Sequence, residues 1–171
     1  PGGLSAFVAA MNDKAEALGM EQSRFVDPSG LSSNNRSTAD DLLRLVRAAS
    51  DYRLIREFSD SARHTVRFRN PGYRLGYGNT NLLVYRNHWD IDLSKTGYLD
   101  EAGRCLILVT TIEERPVAMV LLDSFGRHTP VGDAGRIRRW FETGDSGSIA
   151  AAARRYERRK SAQVANADPP E

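Results

Sequence analysis

The 171 residues contain one cysteine, Cys105, and three histidines, His64, His88 and His128. A single thiol forms no intrachain disulfide, and histidines this far apart have no ligand-like spacing, so neither a staple nor a metal site is expected. No stretch approaches the roughly 20 apolar residues that would span a bilayer, so no transmembrane segment is expected. The opening segment "PGGLSAFVAAMNDK" has neither the basic flank nor the long apolar region of a signal peptide, and a start at Pro1 rather than Met suggests that the natural N-terminus lies upstream. Charge of one sign is equally scarce. The net +2 comes entirely from the residues after Ala150, where Arg154, Arg155, Arg158, Arg159 and Lys160 outweigh Glu157, Asp168 and Glu171. That surplus is too small to imply a polyanion partner, and residues 145–171 read as a basic, Ala-rich, partly disordered tail, a frayed helix with a disordered end.

What remains has the composition of a globular domain long enough to bury its own core. Leu4, Phe7, Val8, Met11, Ala15 and Leu18 form a helical stripe over about residues 3–18, with Gly19 as its stop. A Pro, Gly, Ser and Asn cluster follows. A second helix then opens at Ser37, with Asp40 at capping-box spacing and Leu42, Leu43, Val46 and Ala49 as its buried face. "DYRLIREFS" adds a short helical piece. From Arg63 the period changes: "HTVRFRN" alternates as an exposed strand does, while "NPGYRLGYGNTN" is turn-rich, its Asn side chains placed to tie down the backbone. Strands are expected at about 91–97, 103–113 and 116–124, the last two joined by "EERP" as a hairpin. Cys105 falls in the apolar run "CLILV" and is expected to be buried. A closing helix in "VGDAGRIRRWFETG" would bury Ile137, Trp140 and Phe141. Helices segregated around a few antiparallel strands define an α+β domain covering residues 1–144.

"SKTG" is the stretch that carries chemistry. Lys95 follows Ile91 and Leu93 on what reads as an inner strand, where an ammonium is costly unless it faces a cleft or a partner. Thr96 offers a hydroxyl, and Gly97 removes the side chain that would stop another chain from lying along the strand. Together they suit an extended peptide bound by strand addition. The arginines at 63, 67, 69 and 74 interleave with Phe68, Tyr73 and Tyr77, but a solvated edge strand accounts for them, and no nucleic-acid partner is expected.

Lys-Thr-Gly is also the third signature motif of penicillin-binding proteins and class A β-lactamases. "RFVDPSGLSSNNRSTADDLLRL", "NTNLLVYRNHWDIDLSKTGYLDEAGRCL" and "DSFGRHTPVGDAGRIRRWFETG" resemble successive segments of the low-molecular-mass penicillin-binding proteins, nearest to their D-alanyl-D-alanine endopeptidases of the penicillin-binding protein 7 type. The resemblance runs from Pro1 to about Gly144. It implies the DD-peptidase fold without its N-terminal portion. It also implies a periplasmic serine enzyme that cuts peptidoglycan stem-peptide cross-links through an acyl-enzyme, is acylated by β-lactams and needs no cofactor. By that likeness Lys95 binds substrate and supports proton transfer, Thr96 holds the substrate carboxylate beside Gly97, and the Tyr98 backbone N–H is an oxyanion donor. Thr80 stands where carboxypeptidase relatives carry an arginine, which fits an endopeptidase. No serine here is followed three positions later by lysine, so the nucleophile and its base are absent and the chain alone is expected to be inactive. "SSN" and "SNN" at 32–35 lie in the loop after the family's second motif and are read as chance. A catalytically silent wall-binding or partner-binding module is the alternative. A chain lacking the N-terminal portion is expected to expose a strand edge and part of its helical packing surface, and to be poorly soluble or molten when expressed alone.

Overall fold

The computed structural model describes residues 2–166. Helix α1 (Gly3–Ala17) ends as the sequence implies, with Gly19 left-handed at φ +70° and the Met20 N–H returning to the Ala15 carbonyl. Ala15 and Met20 are buried, but Leu4 and Phe7 remain exposed, so the N-terminal half of the stripe has nothing packed on it. Helix α2 (Ala39–Ala49) is capped one residue later than the capping-box reading placed it. The Thr38 hydroxyl accepts from Asp41 N, while the Ser37 hydroxyl turns to Ser23. Helix α3 (Arg53–Asp60) is amphipathic.

A two-stranded ribbon follows, β1 (Arg63–Arg69) with β2 (Gly72–Gly78), antiparallel with Val66 opposite Leu75. The second of these strands was read as turn. Its three glycines erase the period in sequence, but pairing to β1 and the Phe68–Tyr73 stack, at 4.4 Å between ring centroids, hold it extended. A single 3-10 turn, Leu82–Tyr85, leads into the main sheet of β3 (Asp90–Leu99), β4 (Gly103–Ile112) and β5 (Arg115–Ser124), antiparallel in that order. Glu113 and Glu114, at φ +47° and +63°, make the tight two-residue turn between β4 and β5.

The sheet is covered on both faces. On one, helix α4 (Thr129–Thr143) packs Ala134 into a cluster with Leu83, Trp89, Ile91, Leu106, Leu108, Ile112 and Met119. On the other, Val46 of α2 meets Leu93 and Val109. The register shift between Ile91 and Leu93 explains how one strand feeds both clusters. A bulge at Asp92 moves the odd-numbered residues from the α4 face to the α2 face. Burying each of Leu106 and Leu108 contributes about 2 kcal/mol. Trp140 and Phe141 do not join the core as expected. Pro130, Val131, Ala134 and Ile137 form the buried stripe of α4, and the two aromatics continue it into solvent, edge-to-face on each other. Cys105 is half-buried rather than buried, opposite Gly97.

Helix α5 (Ala151–Ala165) is tied back to the sheet. Tyr156 donates to Asp123 at 2.6 Å, and Lys160 pairs with the same carboxylate at 3.0 Å. Residues 167–171, at the end of the tail where disorder was expected, lie outside the described residues. No helix among the described residues is long and apolar enough to cross a membrane.

Candidate active site

The strand bearing Lys95 is an edge strand, not the inner strand the sequence suggested: β3 pairs with β4 on one side only. This changes what the motif can do. Ser94 donates its backbone N–H to the Ser59 hydroxyl at 3.2 Å, and its own hydroxyl donates to the Ser59 carbonyl at 3.1 Å. Ser94 N–H therefore points away from β4, toward α3. Backbone groups alternate sides along a strand, and the pairing is regular from Leu93 to Leu99, so the N–H and C=O of Thr96 and Tyr98 point out along the same free edge. Those are the groups an added extended chain would use.

Beside this edge lies a cleft of about 570 Å³. One wall is α3, whose Leu54, Ile55 and Phe58 are 53%, 44% and 72% exposed. The other is Ser94, Lys95 and Thr96, with Gly78, Asn79 and Thr80 at one end. Lys95 is exposed into this space and its ammonium donates to the Thr96 carbonyl. The Thr96 hydroxyl lies 2.5 Å from that of Thr80. Thr80 is held in place because Asn79 donates to the Ser59 and Ser61 carbonyls and accepts from Asn81 N, and Asn81 in turn accepts from Leu83 N. The "NTN" segment is thus the tied-down turn that its asparagines suggested. Gly97 is exposed on the strand, with an added Cβ meeting only Cys105 at 4.0 Å. Tyr98 projects its ring outward, donating to Asp100 at 2.5 Å beneath the Arg104 guanidinium at 4.3 Å. The bond to the Asp100 carboxylate and its charge raise the Tyr98 pKa, so its hydroxyl stays a donor.

The structure brings Lys95, Thr96, Gly97 and Tyr98 to one accessible edge. It adds Ser59 and the apolar face of α3, which the motif alone could not reveal, and sets Thr80, singled out in the sequence, against Thr96. Helical periodicity in "RLIREF" was the only sequence signal for that wall. Among the described residues no three of His, Cys, Asp and Glu come together as metal ligands.

Lys-Thr-Gly thus lies on the edge strand β3 of a sheet backed by α4, with α3 as a helical wall beside it. The chain belongs to the D-alanyl-D-alanine carboxypeptidase family, which matches residues 1–126. Its sequence is 52% identical over 156 residues to the D-alanyl-D-alanine endopeptidase of Pseudomonas aeruginosa, covering 91% of this chain and 50% of that protein. The fold is similar to that of a Streptomyces DD-transpeptidase, with a TM-score of 0.73 and 25% identity over 80% of this chain and 53% of the other. It is also similar to a penicillin-binding protein of Listeria monocytogenes in its cefotaxime-bound form, with a TM-score of 0.63 and 29% identity over 77% of this chain and 53% of that one. The chain spans about half the length of the curated relatives it matches.

Proposed function

We propose that this chain is the C-terminal half of a serine-type D-alanyl-D-alanine endopeptidase of the periplasm, which opens peptidoglycan cross-links through an acyl-enzyme and is acylated by β-lactams. The observation that carries the reading is the free edge of β3 beside the cleft, with the amides of Thr96 and Tyr98 unpaired by β4 and the Lys95 ammonium alongside. A peptide laid along that edge finds a hydroxyl at Thr96 for its terminal or branch carboxylate and a backbone donor at Tyr98 for the carbonyl under attack. Lys95 supplies positive potential and a proton-transfer partner near the reacting atoms. The attacking serine and its lysine base come from residues upstream of Pro1, because no Ser-x-x-Lys occurs in the 171 residues.

Fluorescent penicillin tests this directly, applied to the chain alone and to the chain extended by the sequence encoded upstream. Covalent labelling of the extended form only is the expected result. Two folded, unlabelled proteins would overturn the enzyme reading and leave a cell-wall-binding or partner-binding module. For substrate choice, the full-length enzyme is expected to cleave cross-linked dimers faster than free pentapeptides, in keeping with Thr80 rather than a cation beside Thr96. The opposite preference would rule out the endopeptidase assignment.

A further inference from the structure

Although the body of the chain is neutral overall, one segment of it carries charge of a single sign. Between Asp60 and Asp90 there are five arginines and no acidic residue. Four of them, Arg63, Arg67, Arg69 and Arg74, lie on the β1–β2 ribbon, and its register sorts them onto one side. Side chains alternate along each strand and directly opposed residues share a face. Val66 opposite Leu75 and the Phe68–Tyr73 stack therefore knit one face together, while the other holds all four arginines. Apart from Val66, every residue of the ribbon is exposed.

The arginine face is unfavourable as it stands. Arg63 and Arg69 lie opposite Gly78 and Gly72, but Arg67 and Arg74 lie opposite each other, and like charges placed so destabilise a strand pair. None of the four forms an ion pair among the described residues. Solvation explains why each arginine is tolerated on an exposed strand; it gives no reason for two to face each other. A carboxylate between the two guanidiniums would remove the repulsion, and each guanidinium can hold it through two parallel N–H bonds.

The root of the ribbon is also one end of the cleft. Gly78, the last residue of β2, lines the cleft with Asn79 and Thr80, and Thr80 meets Thr96 of the motif strand. Asn79 ties this junction down, its N–H donating to the Ala62 carbonyl at 2.9 Å and its side chain to Ser59 and Ser61. Strand direction decides which part of a substrate arrives there. With the reacting carbonyl at Tyr98 N–H and the group that follows it at Thr96, the bound chain runs antiparallel to β3, and what departs on cleavage lies toward Ser94. The free edge ends at that point, because Ser59 engages both the N–H and the hydroxyl of Ser94. The departing strand therefore turns off β3 past Thr80 and onto the ribbon. Arg63 stands at the root, and Arg67 and Arg74 lie four residues further out, about 14 Å at 3.4 Å per residue.

We propose that the arginine face of the β1–β2 ribbon, centred on Arg67 and Arg74, binds carboxylates of the leaving peptide strand, the second stem peptide that is released when a cross-link is cut. This inference rests on the serine-peptidase reading and gives it a recognition surface for the half of the substrate that carries the released amine.

The test uses the full-length enzyme and two synthetic cross-linked dimers with the same acyl-donor peptide, whose leaving peptide carries either free carboxylates or the corresponding carboxamides. The readout is the ratio of the two kcat/KM values within each protein, which cancels losses of folded enzyme. The unaltered enzyme is expected to favour the carboxylate dimer about fivefold, and the preference should shrink as salt is raised because the arginines are exposed. Arg67→Gln with Arg74→Gln should bring the ratio to about one, and Arg67→Lys with Arg74→Lys should keep most of it. Arg67→Gln alone should lower the ratio about twofold and serves if the double variant does not fold. A ratio near one in the unaltered enzyme, or a ratio unchanged in the glutamine variants, would overturn the proposal and leave the arginines to an acidic partner protein or to solvent. Penicillin labelling separates the two ideas: a labelled enzyme without the preference removes only the ribbon site, whereas an unlabelled one removes the peptidase reading and the ribbon site with it.

Discussion

Two regions of the molecule, the segment between α1 and α2 and the wall made by α3 and β3, are built on opposite terms. Between α1 and α2, residues 20–38 have almost no secondary structure, yet polar groups saturate them. Asn12 clamps Phe25 through both its N–H and C=O, and Asp27 accepts from Ser29, Gly30, Ser32 and Asn35. Buried Asp41 accepts from Gln22 N, from the Ser23 hydroxyl and from Arg44. The α3–β3 wall is regular structure, yet it leaves Leu54, Ile55 and Phe58 exposed and an edge of backbone amides open. Order in the first comes from satisfying donors and acceptors locally; the second keeps unsatisfied groups for something that lies against it.

The largest effect expected from breaking this contrast is at the open wall. Lys95→Ala in the full-length enzyme should slow penicillin acylation by about 10²-fold or more, read by stopped-flow labelling, while the melting temperature stays within a few degrees because Lys95 is exposed. Acylation at an unchanged rate would leave Lys95 without a chemical role. At the saturated loop the order reverses. Asp41→Ala should cost about 3 kcal/mol in denaturant unfolding, because Gln22 N, Ser23 and Arg44 all lose their shared acceptor in a buried setting. A cost below about 1 kcal/mol would mean that the polar web is not what orders the loop. Phe58→Ser, 72% exposed in the cleft wall, should change the stability of this chain by no more than about 0.5 kcal/mol. A large loss would show that α3 is held by contacts other than those seen.

The smallest effect is a titration. The Ser29 hydroxyl, helped by the backbone N–H groups of Ser32, Ser29 and Gly30, holds the Asp27 carboxyl down to about 2 from an ordinary 3.8. A lowered folded value means that its stabilisation is complete above the unfolded value and is lost as pH falls from about 4 toward 2. Protection of the Ser29, Gly30 and Ser32 amides, taken relative to their intrinsic exchange, should therefore fall across that window, with no comparable change at Leu108 in β4, a strand paired on both sides. Equal loss of protection at both places would indicate global unfolding rather than local release.

Much of this was legible in the sequence, for reasons that differ by element. The helical stripe of α2, the hairpin around Glu113 and Glu114, and the Lys95 to Gly97 strand follow from period and turn chemistry, which are local. The misplacements involve what lies across from a residue. Trp140 and Phe141 continue an apolar stripe whose covered part stops at Ile137, and no spacing within α4 reveals where the sheet beneath it ends. Ser37 and Thr38 cap equally well by type. The choice fell to Thr38 because Ser23, 14 residues earlier, takes the Ser37 hydroxyl. The edge position of β3 and the Thr80–Thr96 contact are likewise properties of pairing between distant segments.

The bulge at Asp92 works as a phase shifter. Upstream of it the strand is timed to the α4 interior through Ile91, and downstream to the α2 interior through Leu93, so side-chain facing at the motif is set by one extra residue rather than by the motif itself. Were Asp92 paired as an ordinary ladder residue, the register would slip by one, turning Lys95 to the α4 side and Thr96 to the α2 side. Deleting it instead would leave Ile91 opposite Thr110 and Leu93 opposite Val109, as they already stand, and remove the bulge without turning either side chain. Reading frame, in this strand, is a three-dimensional quantity: a family member one residue shorter before its Lys-Thr-Gly would keep the same facing with a regular ladder in place of the bulge.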